Sequence, residues 1–487
     1  MRLLALCAIP LATALVVFAA PAFRGRRVPV ALLFVVACAH LALVTSLWVV
    51  PPLPTLGGWL AADPLGLTVL TLTSVLFLVT AIYIVGYLRH EAPRSGRVFA
   101  GGLLAFLAAA SVVALAHHLA MLWVGMEATT LSVAPLVFLR RDRRSLEATW
   151  KYLVVSSVGI ALALLGTFFL ASAQGQGGGD MGRPLLLPDL IAHARELHPA
   201  WLRAAFLFLL VGFGTKMGLA PMHTWKPDTY GEAPSLVSGL MSGALTSCAF
   251  LGVARVTEVV AAAGLGSFAQ PVLIAFGLLS LAVAATFVIG QRDVKRLLAY
   301  SSVEHMGLLV LGLGLGGVGA YGSMLHLVNN GLAKGWMFLV AGNIALATGA
   351  ATAGNRGLIR TLPASATLLV LGLFAVTGSP PFGMFVSEFT ILRAAFDGGH
   401  PWIAATILMA LAVIFVGMAA LVLGMVLGEP PAPTGRDPGA VAVRESRWLV
   451  AGPVALAAIV LMLGFYIPGP LRDVLTRAAM ALGGTGP

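Results

Sequence analysis

Residues Ala205–Trp225 read AFLFLLVGFGTKMGLAPMHTW, an apolar run long enough to cross a bilayer with one lysine, Lys216, inside it. About 20 apolar residues span the hydrocarbon core, and a lysine at a helix centre there costs at least ~3 kcal/mol on insertion scales. A chain keeps such a residue where it pairs, lines a wet cavity or moves charge. Gly212, Gly214 and Gly218 surround it and Pro221 follows. The pattern predicts a helix broken at the lysine, as in transporters that expose backbone to ions.

The composition agrees. Of 487 residues, 59% are hydrophobic and 10% charged, the mean hydropathy is +0.96, and soluble domains carry about 25% charged residues. The chain therefore reads as an all-α polytopic membrane protein. Its net charge of +11 does not point to nucleic acid, because the basic residues sit singly or in short clusters between apolar runs. They read as topology anchors against the lipid bilayer.

Fourteen spans are expected, at about 3–22, 28–50, 64–88, 98–115, 118–139, 149–173, 201–226, 234–261, 270–290, 296–316, 320–348, 364–395, 400–427 and 446–468. The first run ends near Ala20-Pro21-Ala22 like a secretory signal. Only Arg2 precedes it and Arg24, Arg26 and Arg27 follow, which predicts a retained helix. Loops after odd-numbered spans hold 20 of the 30 Lys and Arg residues, Lys226 among them, and the opposite side holds 8. Lys216 and Lys334 fall within spans. This bias predicts a plasma (inner) membrane protein with both termini on the non-cytoplasmic side. The outer loop 173–200 opens with QGQGGGD and continues LLLPDLIAHARELH, a short surface helix. The inner loop 428–447 contains EPPAPTGRDPG and reads as a linker.

Cys7, Cys38 and Cys248 lie in apolar spans without metal-ligand spacing and read as small buried hydrophobes. Gly312-x-Gly314-x-Gly316 lacks the strand–helix context of a dinucleotide site, and there is no Walker motif. No catalytic group, cofactor or metal is expected in the chain.

A weak internal symmetry organises the spans. Glu127 and then the broken Lys216 segment appear in spans four to eight. Lys334 appears in spans nine to thirteen, followed by a second interruption, Thr377-Gly378-Ser379-Pro380-Pro381-Phe382-Gly383, and then Glu388. Two Gly/Pro-broken helices in corresponding positions are the sign of inverted repeats. The expected organisation is N-terminal helices (1–90), a first repeat (97–261), a second repeat (269–427), and a final helix and tail (446–487).

The polar residues at membrane depth suggest proton handling. Glu127 reads as the partner of Lys216, a pair whose weakening lets the lysine release its proton. His326, Asn330 and Lys334 recur at i, i+4 and i+8, on one helical face over about 12 Å. Glu388 reads as the end of a proton path or as a helix cap. His223, Lys295, Glu304 and His305 are candidates for proton uptake, with topology anchoring the alternative for Lys295. His117 and His118 read as interfacial. Ser242, Thr246 and Ser247 either solvate the route between halves or pack helices.

These segments resemble a known family. GTKMGLAPMHTWKPD (214–228), APSLVSGLMSGAL (233–245), RDVKRLLAYSSVEHMG (292–307), LHLVNNGLAKGWMFLVAG (325–342) and GSPPFGMFVSEF (378–389) are similar to the proton-translocating antiporter-like subunits of respiratory complex I, Mrp antiporters and group 4 hydrogenases. The SSVEHMG and GLAPMHTW wording looks most like the hydrogenase-4 component F group. The resemblance covers about residues 60–430. It implies a fourteen-helix core of two inverted five-helix repeats with broken helices, and a central hydrophilic axis. It makes Glu127 and Lys216 the carboxylate–lysine pair, Lys334 the central lysine, His326 the relay histidine and Glu388 the terminal ionisable group. Lys295 matches the lysine of the DIKRxLAY motif. Two departures stand out: Asn330 replaces a histidine found in many relatives, and span eight lacks the lysine or histidine found in some. No long lateral helix of the kind some relatives carry is expected after span fourteen, since Pro487 follows it closely in this sequence.

The resemblance implies a membrane subunit of a multi-subunit redox complex, moving protons while partner membrane and peripheral subunits transfer electrons. The alternatives are an Mrp-type Na⁺/H⁺ antiporter subunit, or the proton path of an ion or inorganic-carbon uptake module.

Overall fold

In a bilayer the backbone has no hydrogen-bond partner but itself, and the long apolar runs of this chain accordingly form helices. The structure, a computed structural model of the chain, describes residues 1–19, 27–91, 95–176, 184–429 and 445–486. Outside them lie residues 177–180 of the QGQGGGD opening, whose first three residues end a helix, residues 430–439 of the EPPAPTGRDPG linker, and Arg24, Arg26, Arg94, Arg183, Arg436 and Arg444.

The N-terminal helices are α1 (Arg2–Ala19), α2 (Arg27–Val49) and α3 (Pro64–Tyr87). Next come α4 (Gly96–Leu115), α5 (Leu119–Val137), α6 (Arg143–Gln176), the short α7 (Leu187–Ala192) and α8 (Pro199–Met217). After the first break follow α9 (Trp225–Glu232), α10 (Ser235–Leu240), a π-helical turn (Met241–Leu245) and α11 (Thr246–Ala262). Then come α12 (Gly266–Val288), α13 (Val294–Leu315), α14 (Val318–Thr348), the single turn α15 (Leu358–Thr361), α16 (Pro363–Val376), α17 (Gly383–Asp397) and α18 (Pro401–Leu427). The chain closes with α19 (Arg447–Phe465) and α20 (Gly469–Ala481).

Among the described residues, 13 helices are long and apolar enough to cross a membrane, counting α10–α11 as one. The remaining expected span is the pair α16–α17, interrupted at Thr377–Phe382. The short helix expected in the 173–200 loop is α7, whose Leu187 and Leu190 are buried. The tail carries the further helix α20, which buries Val474, Leu475, Ala478 and Ala479. Its short run of charges and small residues gave no apolar span to mark it.

Burial sorts the helices into two layers. The most apolar window of α10–α11 is 100% buried and that of α13 is 94%, against 33% for α2, α12, α18 and α19. The outer helices turn large apolar side chains outward, among them Val158, Phe168, Met409 and Val416. Cys38 also lies on an exposed face and Cys7 is half-buried, so only Cys248 is buried as expected.

Local chemistry sets the helix ends. Asp63, Ser95 and Asp293 cap α3, α4 and α13, accepting from the backbone N–H of Gly66, Val98 and Arg296. Gly218 ends α8 in the left-handed conformation at φ +77°, where a side chain would be strained. At one end of the molecule, buried Arg255 of α11 donates to the carbonyls of Val113, Ala114 and Ala116 at the end of α4 and to Asp63 at 2.9 Å. His117 lies 3.3 Å from the same carboxylate, and His118 caps α5 with its ring stacked on Trp59.

Candidate functional site

The last turn of α8 places Lys216 in the interior, fully buried. Its ammonium does not meet Glu127 directly. It donates to the Thr130 hydroxyl of α5, and that hydroxyl lies 3.4 Å from Glu127 Oε2. The ring of Tyr152, on α6, stands 5.0 Å from Nζ and offers its π face. The expected pair is therefore a relay of three, because one helical turn separates Glu127 from Thr130 and the hydroxyl fills the gap.

The chain then turns at Gly218, and Trp225 Nε1 donates back to the Thr215 carbonyl at 2.9 Å, satisfying an orphan acceptor at the end of α8. This bond aims α9 into the protein. Lys226, counted in the sequence as a loop anchor, is fully buried. Its Nζ donates to Ser302 Oγ at 2.9 Å and lies 5.9 Å from the Tyr230 ring. The surface anchor of α9 is instead Asp228, which pairs with Lys151 of α6 at 2.7 Å and Arg296 of α13 at 2.8 Å.

The second cluster centres on Ser301, the residue before Ser302 on α13. Lys334, in the middle of α14, donates to Ser301 Oγ at 2.6 Å. Ser301 donates to Glu304 Oε2 at 3.2 Å, and His305 Nε2 lies 3.3 Å from the Ser301 Oγ. His305 Nδ1 contacts His326 Nε2 at 3.2 Å, and His326 Nδ1 contacts Ser387 Oγ of α17 at 3.0 Å. Glu388 follows Ser387, buried, with its carboxylate against Gly378, the φ +63° glycine of the second break. His305, His326 and Glu388 present ligand atoms within 4.8 Å of one another, a spacing that a metal ion could also use.

Thus Glu127, Lys216, His326, Lys334 and Glu388 are all interior or half-buried neighbours of other polar groups, and Glu304 and His305 join them at the centre. Lys295 stands apart. Its ammonium donates to the carbonyls of Gly231 and Ala233, both at 2.6 Å, and ties the α9–α10 turn to α13. His223 lies in the first break beside the stacked rings of Phe287 and Tyr300, each 6.4 Å away. Asn330 contributes no bond to the His326–Lys334 link, since both its amide atoms lack a protein partner. Its neighbour Asn329 holds the second break instead, donating to the Gly383 carbonyl at 3.0 Å. Thr246 and Ser247 bond back to the carbonyls of Ser242 and Gly243 on their own helix.

Thr130, Tyr152, Lys226, Ser301 and Ser302 were not singled out from sequence. The hydroxyls carry no signal at membrane depth, where serine and threonine are common in helix packing. Lys226 carried one: it lies ten residues past Lys216 in a segment whose turn points back inward.

The pattern of the family described as NADH:quinone oxidoreductase/Mrp antiporter, transmembrane, matches residues 116–414. The chain belongs to this family. Over 404 residues it is 34% identical to the hydrogenase-4 component F homolog of Methylacidiphilum infernorum (isolate V4), covering 80% of this chain and 84% of that one. Over 361 residues it is 30% identical to NADH-quinone oxidoreductase subunit N of Desulforudis audaxviator, covering 73% and 70%. Its fold superposes on a chain of the membrane-bound sulfane sulfur reductase, an archaeal respiratory membrane complex, with a TM-score of 0.86 at 24% identity over 99% of this chain and 97% of that one. As a member of the NADH:quinone oxidoreductase/Mrp antiporter family, the chain is a multi-pass, antiporter-like membrane protein.

Proposed function

We propose that this chain is the proton-translocating membrane subunit of a multi-subunit redox complex of the hydrogenase-4 or NADH:quinone oxidoreductase type. Partner membrane subunits and peripheral subunits transfer the electrons. The basic-loop side faces the cytoplasm at a plasma (inner) membrane, with both termini opposite.

The observation that carries this reading is the bonded series Lys334–Ser301–His305–His326–Ser387, with Glu304 and Glu388 beside it, inside a membrane protein. Each member can take up or pass on a proton, and no neighbouring step exceeds hydrogen-bond distance. Buried polar atoms without a protein partner, on Asn330, Glu304, Glu388 and Ser242, mark further positions where water completes the path. On the other side, Lys216 with Thr130 and Glu127 forms a second store of protons. Movement of charge at Glu127 would change the hold on Lys216 and so couple this chain to its neighbour.

The test is purification of the intact complex through a tag on this chain, identification of its subunits, and reconstitution in liposomes. Redox subunits should copurify, and turnover with their donor should acidify one compartment, reported by an acridine dye. Lys334→Ala should abolish acidification while electron transfer continues. Sodium-dependent exchange from a complex without redox subunits would replace this reading with the Mrp type.

A further inference from the structure

We propose that Lys226 is the proton carrier between the two halves of the chain, standing in for span eight, which carries no lysine or histidine. The inference rests on the proton-translocating reading above and names the residue that makes its two stores continuous.

Three observations converge on Lys226. First, it is fully buried, and no carboxylate among the described residues lies within ion-pairing distance of its ammonium. Its acceptors are the hydroxyl and carbonyl of Ser302, so no anion fixes its charge there. Second, its Nζ and that of Lys334 end on consecutive hydroxyls of α13, at 2.9 Å from Ser302 Oγ and 2.6 Å from Ser301 Oγ. Third, its stem lies across Gly218, two residues past Lys216. A Cβ built on Gly218 would stand 2.9 Å from Lys226 Nζ. The same side chain therefore touches the end of the helix that carries Lys216 and the helix that receives Lys334.

The second break has the matching design. There the Glu388 carboxylate, from the helix after the interruption, lies against the left-handed Gly378. In both breaks a titratable side chain from the downstream helix folds back onto a left-handed glycine, so Lys226 corresponds in place to Glu388.

The step balances simply. The Lys226 ammonium releases one proton through the Ser302–Ser301 edge to the neutral amine of Lys334, becoming neutral itself. It is recharged by the proton of Lys216. No bond other than N–H is made or broken.

In the reconstituted complex, Lys226→Leu keeps the apolar stem over Gly218 and should lower proton movement at least tenfold at unchanged electron transfer. Lys226→His should keep a measurable part of it, because the ring still titrates. Lys226→Arg should not, because a guanidinium does not release its proton. Unchanged proton movement in Lys226→Leu, or full activity in Lys226→Arg, would overturn the assignment. Should Lys226→Leu fail to assemble, Ser302→Ala decides: a several-fold fall supports the bridge, and an unchanged rate removes it. Lys216→Ala and Lys334→Ala in parallel separate the two ideas. If both leave proton movement intact, the translocating role itself fails. If both abolish it while Lys226→Leu does not, only the bridge fails.

Discussion

Thr130 has no charge, yet the Lys216 site depends on it. Its single oxygen accepts from the ammonium and faces Glu127. Thr130→Val keeps the shape and removes the oxygen, leaving a buried ammonium without its acceptor. Such a loss costs about 1–3 kcal/mol, so Thr130→Val should lower the thermal midpoint of the detergent-solubilised protein. It should also slow proton movement roughly tenfold, as dye quenching in liposomes would report. At this scale the sequence was half legible. Lys216, Lys334, His326 and Glu388 announced themselves because charge inside an apolar run is expensive. Ser301 and Thr130 did not, since a hydroxyl costs little there and its role comes from what stands opposite. Lys226 was misplaced because alternation of basic loops assigns any lysine between two runs to a surface, and only the inward turn of α9 shows otherwise.

Among the elements, the second break puts most demand on its glycine. Gly378 combines φ +63° with the Glu388 carboxylate packed on its Cα. Gly378→Ala therefore strains the backbone by roughly 1–2 kcal/mol and displaces the carboxylate from the cluster. The expected result is a lower thermal midpoint together with loss of proton movement. Gly290→Ala, with φ +80° but open space around it, should show the first effect alone. Helix positions were the most legible feature, since the length of an apolar run and its Gly/Pro punctuation give spans directly. The interruption at Pro380-Pro381 was visible for the same reason, whereas the buried face of α20 was not, because its apolar residues are few.

Across the whole molecule, Arg255 joins segments far apart in the chain, holding the end of α4 and the start of α3 from α11. Removing one partner of a buried ion pair costs about 3–5 kcal/mol, so Arg255→Met should be among the most destabilising single changes. Burial pushes the Asp63 carboxyl up, but the Arg255 guanidinium and His117 outweigh it and hold the carboxyl well below the usual carboxylate range. A lowered folded value means that this contribution is complete above about pH 4 and is lost as pH falls below that through the lowered value. Acid titration of thermal stability should show this loss in the parent and a smaller one in Arg255→Met, where His117 alone remains beside the carboxylate.

The π-helical turn at Met241–Leu245 sits between Lys226 and Arg255 in the chain. A π turn holds one residue more than an α turn, and each residue of an α-helix advances the phase by about 100°. Were the same residues to close as regular α-helix, the retained extra residue would swing everything from Thr246 onward by about that angle. Arg255 would then point away from Asp63 with its sequence unchanged. Deleting one residue together with the π turn would instead leave the phase nearly as it is, so the turn works as a phase corrector, absorbing one residue and setting which face the second part of the helix shows to the N-terminal helices.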